Sequence, residues 1–404
     1  MEASRELAPP RPEGLPAGGS PAPVSSPPPT SLGWRYPTVV YLGTRAVLLA
    51  LAVACHFAFS GLAHGETLSG EFSNWDGWWY VHLATYGYPA YVSHAQTTLG
   101  FFPLYSMVMW LVAHALHSSY VVAGLLISGI GGLVSALLVE RLVAQWWGPE
   151  VARKAVLLFC IFPGSVVFSM DYSEGLLIPL LAGCLYALSR KRYLLAGLLA
   201  GLATGVGPDA LAIVPTCAAP AVVAIRHHGW RDRRTLKSLV APLLSPLGAI
   251  GFAAFLWDWT GSPFANLIAQ KDGWHESTNP LAVPIQAGVL LKEIGFGLHF
   301  SHINVNVPVA LVGSVFLAFG LFWLWKDRAS LPIEVIVFTA AMSFLMVTSL
   351  HVPPNPRLLI TAFPVVAVYA KRFVGRGWRW NLWLNWICLI GLSAITYMGR
   401  LLRP

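Results

Sequence analysis

The chain has 404 residues, 56% of them hydrophobic and only 11% charged, against roughly 25% charged in an ordinary soluble domain. With a mean hydropathy of +0.61, the composition argues against a soluble enzyme, a nucleic-acid-binding module and a disordered scaffold. The net charge of +8 does not call for a nucleic-acid partner either, because basic residues gather in short loops between apolar runs, where they report membrane orientation. This is the composition of a polytopic, all-α membrane protein.

Residues 1–33 form a Pro/Ser/Gly/Ala tail with almost nothing to bury; such a segment cannot offset its ordering entropy and is expected to be disordered. It is too polar to contain a signal peptide's apolar region, so the first apolar run is expected to be kept. A bilayer core of ~30 Å needs ~20 apolar residues per helix. On that rule spans are expected near 38–60, 120–143, 154–170, 172–189, 193–207, 208–225, 238–258, 306–325, 331–350, 357–373 and 382–400. Gly205, Gly207 and Pro208 interrupt 193–225, which also reads as one long broken helix.

Lys and Arg set the orientation. The segment 61–100 contains neither and reads as non-cytoplasmic, whereas Arg190-Lys191-Arg192, the run from Arg226 to Lys237, Lys326 with Arg328, and Lys371 through Arg379 read as cytoplasmic. Arg141, Arg153 and Lys154 belong with them, so an odd number of crossings separates residue 100 from residue 141. The apolar stretch 101–117 is therefore assigned to a helix lying along the outer surface, followed by a single crossing. This gives about eleven spans, a cytoplasmic N-terminus and one transmembrane unit over 34–404, with outer loops 61–119 and 259–305.

Cys55, Cys160, Cys184, Cys217 and Cys388 all sit in apolar runs, where a thiol behaves as a small hydrophobe; no disulfide and no metal-ligand spacing is read from them. His299 and His302 fall on one helical face with His275 upstream, but no third ligand is fixed by the spacing. Neither a metal nor a cofactor is expected.

The densest chemical signal is Asn74-Trp75-Asp76-Gly77-Trp78-Trp79-Tyr80, just past the first span. Trp and Tyr form interfacial belts, and Asp76 in that setting serves equally as a helix cap. The functional reading is that Trp75, Trp79 and Tyr80 wall a sugar site and that Asp76 acts as general base.

The run Trp75-Asp76-Gly77-x-Trp79-Tyr80, then Gly87-Tyr88-Pro89, then Phe101-Phe102-Pro103-Leu104-Tyr105, resembles the PIG-V family, which comprises the second mannosyltransferase of GPI-anchor assembly and its bacterial relatives. Further matches are Tyr172-Ser173-Glu174-Gly175, Gly261-Ser262-Pro263-Phe264 leading to Gln270 and Trp274, and Pro356-Arg357-Leu358-Leu359 with Phe363-Pro364. The resemblance covers roughly residues 35–400. It implies a GT-C fold, a multi-spanning transferase that takes a sugar from a polyprenyl phosphate carrier on the non-cytoplasmic face, here in a bacterial plasma membrane. It also implies that Asp76, in the first outer loop, is the catalytic base. Where relatives carry an Arg-Pro pair, this chain has Gly207-Pro208-Asp209.

Chemically, a phosphate-linked sugar already has a good leaving group, so the enzyme must position the acceptor hydroxyl and stabilise the departing phosphate. Direct displacement inverts the anomeric centre. Arg357 is the expected phosphate ligand, its guanidinium suited to bidentate contact, with Lys271 second. Tyr105, Asp171, Glu174, Gln270, Trp274 and His275 are the further substrate-binding candidates. The expected partners are a polyprenyl-phosphate-mannose donor, a lipid or glycan acceptor and the membrane, with no nucleic acid. The alternatives are the same fold with glucose or arabinose, or a secondary transporter, whose ionisable residues would lie nearer mid-membrane on broken helices.

Overall fold

Long apolar runs broken by Gly, Pro and basic clusters fold into helices, because backbone polar groups in lipid must be paired within their own segment. A computed structural model describes residues 33–59, 68–295, 305–350 and 352–398. The tail 1–32 and His299 with His302 lie outside the described residues.

In chain order the helices are α1 (Arg35–Phe59), α2 (Leu68–Phe72), α3 (Asp76–Tyr86), α4 (Pro103–Leu116), α5 (Tyr120–Trp147), α6 (Pro149–Ile161), α7 (Glu174–Ser189), α8 (Tyr193–Thr204) and α9 (Ile213–His228). They continue as α10 (Arg233–Ser238), α11 (Val240–Leu244), α12 (Leu247–Thr260), α13 (Ala265–Ile268), α14 (Ala282–Gly295), α15 (Asn306–Lys326), α16 (Ile333–Thr348), α17 (Pro356–Thr361), α18 (Phe363–Arg372) and α19 (Gly375–Tyr397). Among the described residues the only β pairing is an isolated bridge, Thr278 to Ser349.

Each expected span meets helix at its position, and the surface helix expected over 101–117 is α4. By length and apolarity, Arg35–Ala58, Tyr120–Trp147, Pro208–His228, Arg233–Thr260 and Asn306–Lys326 each suffice to cross a bilayer. The pair Pro149–Ile161 and Pro163–Ser169 also suffices when its two parts, bent by 69°, are taken as one span. Glu174–Ser189, Tyr193–Thr204 and Ile333–Thr348 are apolar but shorter.

The two-helix alternative holds over 193–225. Helix α8 stops at Thr204, and a 3-10 turn over Pro208–Ala212 restarts the chain into α9. The glycines there serve close packing: a Cβ on Gly248 of α12 would strike the Gly201 carbonyl and the Gly205 backbone.

The bend after α6 has a visible cause. Pro163 follows the helix end, and Arg45 of α1 reaches in to receive the carbonyls that the broken helix leaves open. Its guanidinium donates to the carbonyls of Ser165 (2.5 Å) and Cys160 (3.0 Å) and to the hydroxyls of Ser165 (3.0 Å) and Ser169 (3.2 Å). A cation inside an apolar helix is tolerable only with such partners. The turned segment Pro163–Ser169 then packs on α17, so tightly that a Cβ on Gly164 would meet the Pro356 carbonyl.

Basic residues collect where α1, α6 and α19 begin. The Tyr36 hydroxyl donates to the Arg153 carbonyl (3.1 Å) and Lys154 to the Phe373 carbonyl (3.4 Å). Asp327 pairs with Lys371 (3.0 Å) and Arg372 (2.8 Å). The starts of α3, α7 and α17 meet elsewhere, around a cluster of acids.

Candidate active site

Two sequence motifs close on each other to build the site. The Asp171 amide donates to the Phe72 carbonyl (2.9 Å), and the Tyr172 hydroxyl donates to the Asn74 carbonyl (3.2 Å). The Ser73 hydroxyl donates to Asp171 Oδ2, and the Tyr80 hydroxyl donates to the Ser173 hydroxyl (2.7 Å). The segment leading into α3 is thus zipped onto the segment leading into α7.

That zipper brings two carboxylates together at helix starts. Asp76 occupies the first turn of α3 and Glu174 the first turn of α7, where the helix dipole favours a negative group. Trp75, the residue before Asp76, takes φ 60°, a left-handed conformation that a non-glycine residue adopts only when its surroundings hold it there. Gly77 lies so close to the Asp171 carbonyl that an added Cβ would stand 3.1 Å from it.

Arg357 enters from α17. Asn355 caps that helix, accepting from the Leu358 amide at 2.9 Å, and Pro356 takes the first helical position, where its missing N–H costs nothing. A cation at a helix N-terminus is disfavoured by the dipole, and the two acids offset this. Arg357 Nε donates to Glu174 Oε1, and Nη1 donates to Asp76 Oδ2 at 2.5 Å. The guanidinium also lies 4.7 Å over the Tyr172 ring. Side-chain exposure rises from Glu174 (2%) through Arg357 (16%) to Asp76 (29%), so the cluster opens on the Asp76 side.

The aromatic candidates form the wall beside it. Trp79 stacks on Phe101 (5.9 Å, 15°) and meets Trp274 edge-on at 5.1 Å. Tyr80 is buried and packs edge-on against Tyr105 at 4.8 Å; burial raises its phenol well above the usual tyrosine value. Tyr105 is fully buried, its hydroxyl 3.2 Å from that of Ser128. Gln270 donates to the Gly100 carbonyl at 2.6 Å, and Trp75 is half-buried at the head of α3.

Not every expected residue joins the cluster. Lys271 and His275 are exposed in the segment after α13, and it is Arg357, not Lys271, that meets Asp76. Asp171 is fully buried; burial pushes its carboxyl well above the usual carboxylate value, partly opposed by the Ser73 hydroxyl. Among the described residues its Oδ1 has no hydrogen-bond partner. In this structure Asp171 braces the zipper and offers no face to a ligand.

Other groups escaped the sequence reading. Tyr172 underlies the guanidinium, although its motif had been singled out. Glu276 accepts from the Ser349 hydroxyl (3.0 Å) and the Leu350 amide (3.2 Å), pinning the segment between α13 and α14 to the end of α16. Asp209, noted only as a departure, is within electrostatic reach of Glu174, Arg357, Glu276 and Asp76. Among the described residues no three His, Cys, Asp or Glu side chains gather as a metal site.

The fold is similar to that of an oligosaccharyltransferase from Archaeoglobus fulgidus, with a TM-score of 0.50, 14% identity, and coverage of 89% of this chain and 55% of that one. ArnT from Cupriavidus metallidurans gives a TM-score of 0.46 at 13% identity, covering 84% of this chain and 61% of that one. In sequence the chain is 29% identical over 159 residues to GPI alpha-1,6-mannosyltransferase 2 of Cricetulus griseus, a match over 37% of this chain and 31% of that relative. The chain spans less than two thirds of the length of each of these proteins, and its fold is of the GT-C type. The sequence profile of the mannosyltransferase (PIG-V) family matches residues 44–257, Asp76 and Glu174 included, and the chain belongs to that family.

Proposed function

We propose that the protein transfers mannose from a polyprenyl-phosphate carrier to a lipid or glycan acceptor on the non-cytoplasmic face, with inversion at the anomeric carbon. The observation that carries this reading is the bridge from Glu174 through Arg357 to Asp76. It sets a carboxylate and a guanidinium side by side, the two groups that the reaction needs.

In the proposed mechanism the acceptor hydroxyl oxygen attacks the anomeric carbon as the bond from that carbon to the phosphate oxygen breaks. The hydroxyl proton passes to Asp76. Its Oδ2 is engaged by Arg357, which leaves Oδ1 to receive that proton. A guanidinium carries five N–H donors; with one given to Glu174 and one to Asp76, the others remain for the phosphate. Fixed donors of this kind stabilise charge that develops on the leaving group without having to reorganise. Trp79, Phe101 and Trp274 supply an apolar wall for a sugar face, and Asp209 and Glu276 are acids suited to sugar hydroxyls. A β-linked donor then gives an α-mannoside.

The test is sugar transfer by the purified protein with polyprenyl-phosphate-mannose and a lipid extract as acceptor, run beside the glucose and arabinose donors. Asp76→Asn is expected to fold and to lose roughly 10²–10⁴-fold in rate, the usual range for a lost general base. Transfer within a few-fold of the parent would remove Asp76 from that role. Preference for another sugar would change the donor and keep the mechanism.

A further inference from the structure

The basic end of the bundle holds charges of two kinds. Lys371 and Arg372 are both ion-paired with Asp327. Arg376 and Arg379, the second and fifth residues of α19, are exposed and make no ion pair among the described residues. Neither α19 nor α1, which packs beside it, contains a single Asp or Glu. An anion for these two arginines must come from outside the pair of helices.

A long groove begins at those arginines. It has a volume of about 860 Å³ and runs between α1 and α19, with Val47 on one wall and Arg379, Trp383, Ile387 and Ile390 on the other. A second, connected depression takes in Arg376. Positions 376, 379, 383, 387 and 390 recur at helical spacing and line one face of α19. Over that distance the helix rises about 21 Å, more than half the thickness of a bilayer's ~30 Å core. Trp383 and Ile387 remain 64% and 66% exposed. The groove is charged at its mouth and apolar along its length.

We propose that this groove is a binding site for one anionic phospholipid. The phosphate sits between Arg376 and Arg379 and an acyl chain lies along Trp383, Ile387 and Ile390. The polarity sequence matches that ligand: two cations at the level of a headgroup, a tryptophan at the interface, then branched aliphatic side chains. Basic pockets between membrane helices bind anionic headgroups on this principle. A zwitterionic lipid fits the apolar part equally well, and its own cation opposes the arginines. The two arginines stand at the start of α19, whereas its other end, at Tyr397, packs on Phe72 ahead of Asp76, and the proposal does not rest on the transfer reaction.

Native mass spectrometry of the purified full chain in a neutral detergent tests this with two probes, dioleoyl phosphatidylglycerol and dioleoyl phosphatidylcholine. The expected result is retention of one phosphatidylglycerol with a preference of roughly tenfold or more, as two basic side chains at a headgroup provide. Arg376→Gln with Arg379→Gln should abolish the preference, and Arg376→Lys with Arg379→Lys should keep it. Millimolar inorganic phosphate should leave it unchanged. Equal retention of the two lipids, or an undiminished preference in the double glutamine variant, would overturn the proposal. Loss of phosphatidylglycerol to inorganic phosphate would also overturn it, in favour of a free-anion site.

Discussion

Arg357 donates through Nη1 to Asp76 Oδ2 at 2.5 Å, joining residues that lie 281 positions apart. The same guanidinium is held from behind by Glu174. Asp76 is therefore aimed by a chain of groups whose far end is fully enclosed. Disturbing that end should be felt at Asp76 without touching it.

Glu174→Ala leaves a guanidinium in a largely buried place with one partner instead of two. Breaking a buried pair costs about 3–5 kcal/mol, and because Asp76 remains as partner the low end is expected. Glu174→Gln keeps an acceptor oxygen for Nε and should lie between the parent and alanine in both melting temperature and transfer rate. Thermal unfolding in detergent checks the order. An alanine variant as stable as the parent would show that Glu174 is not the anchor.

Parts of this arrangement were legible in the sequence for identifiable reasons. Apolar runs of bilayer length, bounded by Arg190-Lys191-Arg192 or Lys326, state where helices start and stop because lipid tolerates little else. Asp76 and Glu174 stood out as acids in apolar surroundings. Arg357 stood out as a cation, but its pairing with them did not, since a contact between Arg357 and Glu174 across 183 positions leaves no periodic trace. Arg45 was overlooked because one cation in an otherwise apolar run does not change that run's assignment, and its partners are mostly carbonyls and hydroxyls of Cys160, Ser165 and Ser169. Arg357 ranked ahead of Lys271 as a cation on one side, but its place against Asp76 rests on the packing of α17 against Pro163–Ser169, which no local pattern states.

That packing can be tested directly. A Cβ on Gly164 would collide with the Pro356 carbonyl and come within 3.1 Å of the Arg357 amide nitrogen, so Gly164→Ala must push α17 away from its seat. Overpacking of this kind costs about 1–3 kcal/mol, and the displaced Arg357 should lower transfer as well. Gly251→Ala is the control, since nothing lies within 4 Å of its Cβ position. Equal rates for the two variants would remove Gly164 from the support of Arg357.

Asp171 gives a pH dependence of stability. Burial raises its carboxyl well above the ordinary value in the folded protein, against about 3.9 when unfolded. Its contribution is therefore fully present below the unfolded value and is lost as pH rises through the folded one. Asp171→Asn does not titrate. The melting temperature of the asparagine variant relative to the parent should increase from pH 4 upward, by the protonation linkage just described. A difference that stays flat or shrinks with rising pH would show that the carboxyl is ionised in place.

Orientation is open to labelling. Tyr91 and Trp230 are both exposed, at 65% and 68%, and lie on opposite sides in the topology read from charge. In a background lacking the five cysteines, Tyr91→Cys should react with an impermeant thiol reagent applied to intact cells. Trp230→Cys should react only after lysis. Labelling of position 230 from outside would reverse the membrane face assigned to the transfer reaction.

The last prediction separates phosphate binding by Arg357 from its support of Asp76. If the guanidinium does both, Arg357→Lys keeps the charge, loses the fork and can serve one partner at a time. Arg357→Ala loses everything, and transfer should fall by roughly 10²–10³-fold, the range for a lost charge-stabilising donor. The measurement is initial rate against polyprenyl-phosphate-sugar concentration at fixed acceptor, with melting temperature recorded for each variant. Loss of phosphate contact in the bound donor raises the donor KM, whereas loss of contact only as charge develops lowers kcat with KM unchanged. A pure support role predicts a lower kcat whose size matches that of Glu174→Ala and a donor KM equal to the parent's. A raised donor KM in Arg357→Lys, absent from Glu174→Gln, is the signature of direct phosphate contact. Donor kinetics unchanged from the parent in a stably folded Arg357→Ala protein would exclude Arg357 from both roles and leave Lys271 as the cation to test.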